Sequence, residues 1–294
     1  MAAVERSGYV VDPIASSLRS GRSAIVNVLV PSLRSPHFAN AAQGILDAFE
    51  TSRYQLVFTQ TGYREDLRAR IVGSVLPFRP AALVFAGTLA DDSSRDLVRG
   101  LGIPIVEIWG DEDDALDIVV GNSAARSGEL LGRHFGEQGF RHIAYCGHTR
   151  QRGGIRLAAF RDALHAQGRT LDFVLPFEGV RVFSDGVSAF REILRALPEC
   201  DAILFGSDVL AAGALVAAHQ AGMDVPGRIA IAGIGDLDFA AHTTPSLTSL
   251  DMADHRVGRI AADLLLKRLD GEVPPQHIIQ LPVVLKARES TQRR

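Results

Sequence analysis

Apolar positions along the chain fall into short runs rich in β-branched residues, separated by longer stretches with a helical apolar period. The runs at 24–31, 55–61, 82–85 and 105–109 predict strands, and 38–52, 65–76 and 93–100 predict the helices between them. A polar interruption at 111–117 follows, and then the alternation resumes. It predicts strands at 142–146, 173–175, 202–205 and 229–234, with helices at 124–138, 156–167, 185–196, 208–221 and 254–268. Residues 276–285 add strand material broken at Pro282. The strands read as continuous apolar runs rather than alternating ones, which marks parallel strands covered on both faces. Right-handed crossovers then give a doubly wound α/β arrangement. About ten strands are too many for one compact sheet of this kind, so two sheets are expected. In such folds ligands gather outside the carboxyl ends of the strands.

A length of 294 residues suits about two domains. With 47% hydrophobic and 22% charged residues, the chain is neither a disordered polymer nor a disulfide scaffold. A formal charge of −3 leaves no large basic field, so the bulk of the chain does not bind nucleic acid tightly. Cys146 and Cys200 are too few for a secreted framework and read as small apolar packing residues. No apolar signal-peptide core opens the sequence, and no run approaches the roughly 18 residues of a membrane span. The expectation is a cytoplasmic protein without a membrane partner.

The predicted strand ends carry the candidate chemistry. The first is followed by Pro31-Ser-Leu-Arg-Ser-Pro-His-Phe38, and 105–109 ends in Trp109. After 142–146 comes a loop reaching Arg156, with Arg150, Arg152 and Arg156 in seven residues. After 202–205 come Ser207 and Asp208, and after 229–234 come Gly235 and Asp236. An arginine fork suits a carboxylate or a phosphate bidentately. Asp208 also suits a helix N-cap, Trp109 a core position, and the arginine cluster a solvated loop. The acidic run 111–114 reads as a solvated loop, with a metal site as the rival reading. Catalytic signatures are absent: there is no complete GxGxxG, no P-loop, no GxSxG elbow and no HExxH. The histidines lack metal-ligand spacing, and only Lys267 and Lys286 are lysines. No enzyme, cofactor or metal is expected.

Five segments in register resemble the lac/galactose repressor (LacI/GalR) family. They are VPSLRSPHF at 30–38, RLAAFRDAL at 156–164, FGSDVLAAGAL at 205–215, GMDVPGRIAIAGIGD at 222–236 and TPSLTSLD at 244–251. The resemblance implies two Rossmann-like lobes with parallel sheets, a periplasmic-binding-protein-like (type I) core joined by three crossovers. The N-terminal lobe would be 24–121 plus 249–276, the C-terminal lobe 122–248 plus 277–290, and 291–294 a tail. Residues 1–23 look like the end of a DNA-binding headpiece and its hinge helix. There Ile14, Ala15 and Leu18 would meet DNA, with Leu18 the minor-groove wedge. The helix-turn-helix that precedes such a hinge is missing, so operator DNA would be reached only through that absent headpiece.

The same resemblance implies a homodimer that binds a small effector between its lobes. Its contacts would be His37, Phe38, Trp109, Arg150, Arg156, Arg181, Ser207, Asp208 and Asp236. Gly235 stands where sugar binders usually carry an acid, and Arg181 where an aromatic often stacks. Both departures favour an anion. TGYRED at 61–66, Val106-Glu-Ile-Trp109 and GIGDLDFAAH at 233–242 look like the gluconate-repressor branch, which makes a sugar acid the expected effector. A periplasmic solute-binding protein for a sugar transporter, of the same fold, is the alternative.

Overall fold

A computed structural model of the chain describes residues 23–89, 91–110, 112–180 and 182–293. The hinge residues Ile14, Ala15 and Leu18, and Arg181, lie outside the described residues. Two compact units emerge. The first comprises the described residues up to Leu33, with Asn40–Gly121 and His255–Ile279. The second comprises Arg34–Ala39, Asn122–Asp254 and the residues from Gln280 onward.

The first unit is built on a six-stranded sheet in the order β11-β5-β4-β3-β1-β2. Its strands are β1 (Ile25–Val30), β2 (Gln55–Gln60), β3 (Ala82–Ala86), β4 (Ile105–Ile108), β5 (Ile118–Gly121) and β11 (Ile278–Gln280). Pairing is parallel from β2 through β1, β3 and β4 to β5. Helices α1 (Pro36–Phe49), α2 (Glu65–Val75) and α3 (Asp92–Arg99) make the crossovers, and α8 (Asp254–Leu269) returns to this unit late in the chain. β3, β4 and β5 are buried at every residue, as continuous apolar runs require. The edge strand β2 instead alternates between exposed and half-buried positions. Leu29, Val72, Leu83, Phe85 and Val98 fill one core between sheet and helices.

The second unit repeats the plan, in the order β12-β10-β9-β8-β6-β7. Here the strands are β6 (Ile143–Gly147), β7 (Leu171–Pro176), β8 (Ala202–Phe205), β9 (Ala230–Ile234), β10 (Thr248–Asp251) and β12 (Val284–Lys286). Pairing is parallel from β7 through β6, β8 and β9 to β10, and antiparallel between β10 and β12. Helices α4 (Ala124–Glu137) and α5 (Gln151–His165) cover one face, where Phe135, Phe140 and Phe160 meet edge to face. On the other face α6 (Phe183–Ala196) and α7 (Asp208–Gln220) bury Phe190, Ile193 and Leu210. α4 and α5 approach closely because Gly128 has no Cβ, which would collide with the Arg156 carbonyl.

Two local readings change. β5 and β10, four residues each, are strands that the hydrophobic pattern did not predict. β10 is the polar-rich TSLD, and its Thr248 and Ser249 are fully buried in a hydroxyl network rather than in apolar contact. α5 begins at Gln151, five residues before the expected start at 156, so part of the expected arginine loop is helix. The glycine pair there argues for a loop by propensity, yet a Cβ on Gly153 would press on the His148 carbonyl 2.6 Å away. The described part of the acidic run, 112–114, is exposed as a solvated loop would be, and Asp114 adds one contact. It pairs with buried Arg95 at 2.9 Å.

Candidate functional site

In the second unit β6, β8, β9 and β10 run parallel, so their carboxyl ends share one edge. Glycines open that edge: a Cβ on Gly147 would lie 2.6 Å from the Tyr145 hydroxyl and 3.1 Å from Gly206 Cα. Tyr145 is fully buried and its hydroxyl donates to the His148 carbonyl at 2.9 Å. Burial pushes its pKa up, and the nearby Arg156 charge opposes that shift.

Arg156 lies in the second turn of α5. Its Nε is buried and makes no hydrogen bond, and among the described residues no carboxylate lies within ion-pair distance of it. Burial draws its pKa below the usual arginine value, while the Tyr145 and Asp254 charges pull it back up. Asp254 opens α8, is 6% exposed, and has His37 Nδ1 2.8 Å from its Oδ1. The Phe38 ring stands edge-on to His37, with centroids 5.1 Å apart. The neighbouring Arg152 is spent differently, since its Nη2 donates to both the carbonyl (2.5 Å) and Oδ1 (2.9 Å) of Asn122.

The acidic candidates are held by the protein itself. Ser207, not Asp208, caps α7, its Oγ accepting from Leu210 N at 3.4 Å. Asp208 follows, fully buried. Its Oδ1 accepts from the Ser249 hydroxyl at 2.6 Å and its Oδ2 from Leu237 N–H at 2.8 Å. Burial is the main cause that pushes its pKa up to about 6, against those two hydrogen bonds. Gly233 leaves room for this carboxylate, because a Cβ there would collide with Asp208 Oδ1. Asp236 sits at φ +47°, donates its N–H to Ser249 Oγ (2.9 Å), and accepts from Arg288 Nη2 at its Oδ1 (2.6 Å). Gly235 adopts φ +133°, a conformation few L-residues reach, so its glycine has a backbone reason independent of charge.

Arg150 is exposed, and Trp109 belongs to the other unit. Arg150 precedes α5 with an 86% exposed side chain, 3.5 Å from the exposed Glu178. Trp109 belongs to the first unit, 3% exposed, at φ +59° after β4. Tyr145, Ser249, Asp254 and Arg288 were not among the residues anticipated from sequence. Ser249 lies within TPSLTSLD at 244–251 and Asp254 at a helix start, but Tyr145 reads as core and Arg288 carries no signal at all. Among the described residues, no group of three or more His, Cys, Asp or Glu is placed to hold a metal. No helix among them is long and apolar enough to cross a membrane.

Comparison with known proteins agrees with this architecture. The model of the periplasmic binding protein-like domain matches residues 133–291. The HTH-type transcriptional regulator GntR of Pseudomonas aeruginosa is 30% identical over 293 residues, covering 98% of this chain and 85% of that protein. The ribose operon repressor of Escherichia coli is 25% identical, covering 98% of this chain and 88% of its own. A crystal structure of a LacI family transcriptional regulator from Silicibacter pomeroyi superposes with a TM-score of 0.92. It is 28% identical and covers 99% of this chain and 89% of its own.

Proposed function

Since the chain belongs to the LacI family of transcriptional regulators, as an effector-binding core, we propose that its effector is a sugar acid of the gluconate kind. The observation that carries this reading is the charge pattern at the strand ends of the second unit. Arg156 holds a buried guanidinium nitrogen with no hydrogen bond, a costly state that a ligand carboxylate relieves by a charge-assisted pair. Two of the acids that would repel such a ligand are already engaged, Asp208 by Ser249 and Leu237 and Asp236 by Arg288, and a third, Asp254, faces His37 at 2.8 Å.

In this reading Arg156 grips the carboxylate, and His37 and Phe38 offer a ring pair to the carbon chain. Ser207 supplies a hydroxyl and Trp109 an indole face. Asp208 and Asp236 shape the loop after β9 instead of touching the charged end. Exposed Arg150 is left as an outer contact, and Arg181 stays a candidate from the sequence alone. The gluconate-repressor-like segments at 61–66, 106–109 and 233–242 support a gluconate-like effector, and the relatives named GntR, from Pseudomonas aeruginosa and Escherichia coli, are HTH-type transcriptional regulators. Effector occupancy would govern operator DNA binding by a homodimer in the cytoplasm, shifting its two states only by the difference in affinity for them.

The test is isothermal titration of the chain with D-gluconate, D-glucose and D-ribose at matched ionic strength, for the wild type and Arg156→Ala. Gluconate binds the wild type and glucose binds far more weakly. Losing the buried charge pair costs about 2–4 kcal/mol of affinity, at least tenfold in Kd. Equal gluconate affinity in the two proteins removes Arg156 from the site. Binding of a neutral sugar alone discards the anion reading.

A further inference from the structure

The first unit contains a charge network of a different kind. Arg95 lies within α3 and is 2% exposed, while Glu107 lies within β4 and is fully buried. Their charged atoms approach to 3.6 Å. A buried ion pair is weak support for stability, because an apolar pair of the same volume serves a core as well or better. What an apolar pair cannot do is capture backbone groups, and this pair captures three. Arg95 Nη1 donates to the Leu89 carbonyl at 3.1 Å, in the loop after β3. Its Nη2 donates to the Asp114 carbonyl and pairs with the Asp114 carboxylate. Glu107 Oε2 accepts from Leu116 N–H at 2.8 Å. The loop from Gly110 to Asp117 is thus tied to the sheet at 114 and 116.

Trp109 opens that loop in a left-handed conformation, φ +59°, which a bulky residue keeps only where its surroundings over-determine it. The surroundings supply this from several directions. Trp109 N–H donates to the Val120 carbonyl at 2.8 Å. Gly121 lacks the Cβ that would come within 3.0 Å of Trp109 Cα. Gly110 turns back over Glu107, where its own Cβ would lie 2.6 Å from Glu107 Cβ. Strain of this sort collects at ligand clamps, and Trp109 sits at the carboxyl end of a central parallel strand.

We propose that Arg95 and Glu107 are positioning residues for effector recognition: by clamping the loop after β4 they hold Trp109 in its left-handed conformation and set where its indole is presented. The part that concerns the effector rests on the reading of Trp109 as an effector contact. The part that concerns the indole does not.

Trp109 is the single tryptophan of the chain, so its emission reports this position alone. The experiment measures emission maximum, acrylamide quenching and D-gluconate affinity for the wild type, Glu107→Ala and Glu107→Gln. Alanine removes the acceptor for Leu116 N–H, and glutamine restores it without the charge. Glu107→Ala is expected to red-shift the emission, raise the quenching constant several-fold and weaken gluconate by about tenfold, the scale of one lost buried hydrogen bond. Glu107→Gln is expected to recover much of each change. Asp114→Ala, at a 60% exposed side chain, severs only the outer ion pair and should move the same signals less, which guards against a Glu107→Ala that does not fold. Folded variants with unchanged emission and quenching overturn the proposal. Altered emission with unchanged gluconate affinity overturns its effector part. If gluconate does not bind the wild type, the sugar-acid reading fails by itself, and the fluorescence still decides whether the clamp holds the indole.

Discussion

Arg95 in the first unit and Arg156 in the second both carry buried guanidinium nitrogens, and their surroundings are opposite. Arg95 meets two carbonyls, the Asp114 carboxylate and the Glu107 carboxylate. Arg156 has a buried Nε with no hydrogen bond, and the more distant Asp254 carboxylate is the negative charge that acts on it. Each sits in a helix that follows a parallel strand of a six-stranded sheet. The difference is that one cation is completed by its own chain and the other is not. A completed buried charge serves the architecture, whereas an uncompleted one is kept at a cost that folding alone does not explain.

That contrast breaks first on stability. Arg95→Ala strands Glu107 in the core without its cation and is expected to lower the unfolding free energy by about 3–5 kcal/mol. Arg156→Ala removes an unsatisfied group and is expected to stay within about 1 kcal/mol of the wild type. Urea unfolding of the two variants checks this, and equal losses would erase the distinction between the two arginines.

A smaller effect sharpens the picture of the acids. Asp208 has a folded pKa near 6 against an ordinary value of 3.8, so between pH 4 and 6 the native state holds a proton that the unfolded chain releases. Its contribution to stability is therefore fullest below about pH 4 and is lost as pH rises through 6, by an amount on the order of 2–3 kcal/mol. Asp208→Asn should cancel this component. The stability of the variant relative to the wild type should climb with pH across that window and then level off. A flat difference would mean that Asp208 is ionised throughout, fully compensated by Ser249 and Leu237. The smallest effect belongs to Arg150→Ala, which loses only an exposed pair with Glu178. It should change stability by no more than about 0.5 kcal/mol and leave gluconate affinity near the wild-type value. A large loss of affinity there would move the anion contact from Arg156 to Arg150.

Much of the architecture was legible because burial on both faces of a parallel strand writes itself as an unbroken apolar run. β1, β3, β4, β6, β8 and β9 were all readable in that way, and the helices between them by their apolar period. The strands that escaped show the limits of the rule. β5 is four residues long and follows a polar loop. β10 buries Thr248 and Ser249 through hydroxyl bonds to Thr291, Arg288 and Asp208, which an apolar pattern cannot register.

The chain's own residues also determined the candidates beyond the strand ends: Ser207, Asp208, Asp236 and Trp109 follow a strand directly, and Arg156 lies in the helix after one. Only the tertiary structure decided what each does there. Asp208 and Arg156 look alike in sequence, as charged residues at or near a helix start beyond a strand. One is turned inward because Gly233 vacates its space and Ser249, forty-one residues later, donates to it. The other retains an unsatisfied nitrogen because no partner reaches it from among the described residues. Local pattern sets which groups reach the edge of a sheet. Whether a charge there is already paired depends on contacts distant along the chain, such as Arg288 with Asp236, and these exist only once the sheets have assembled.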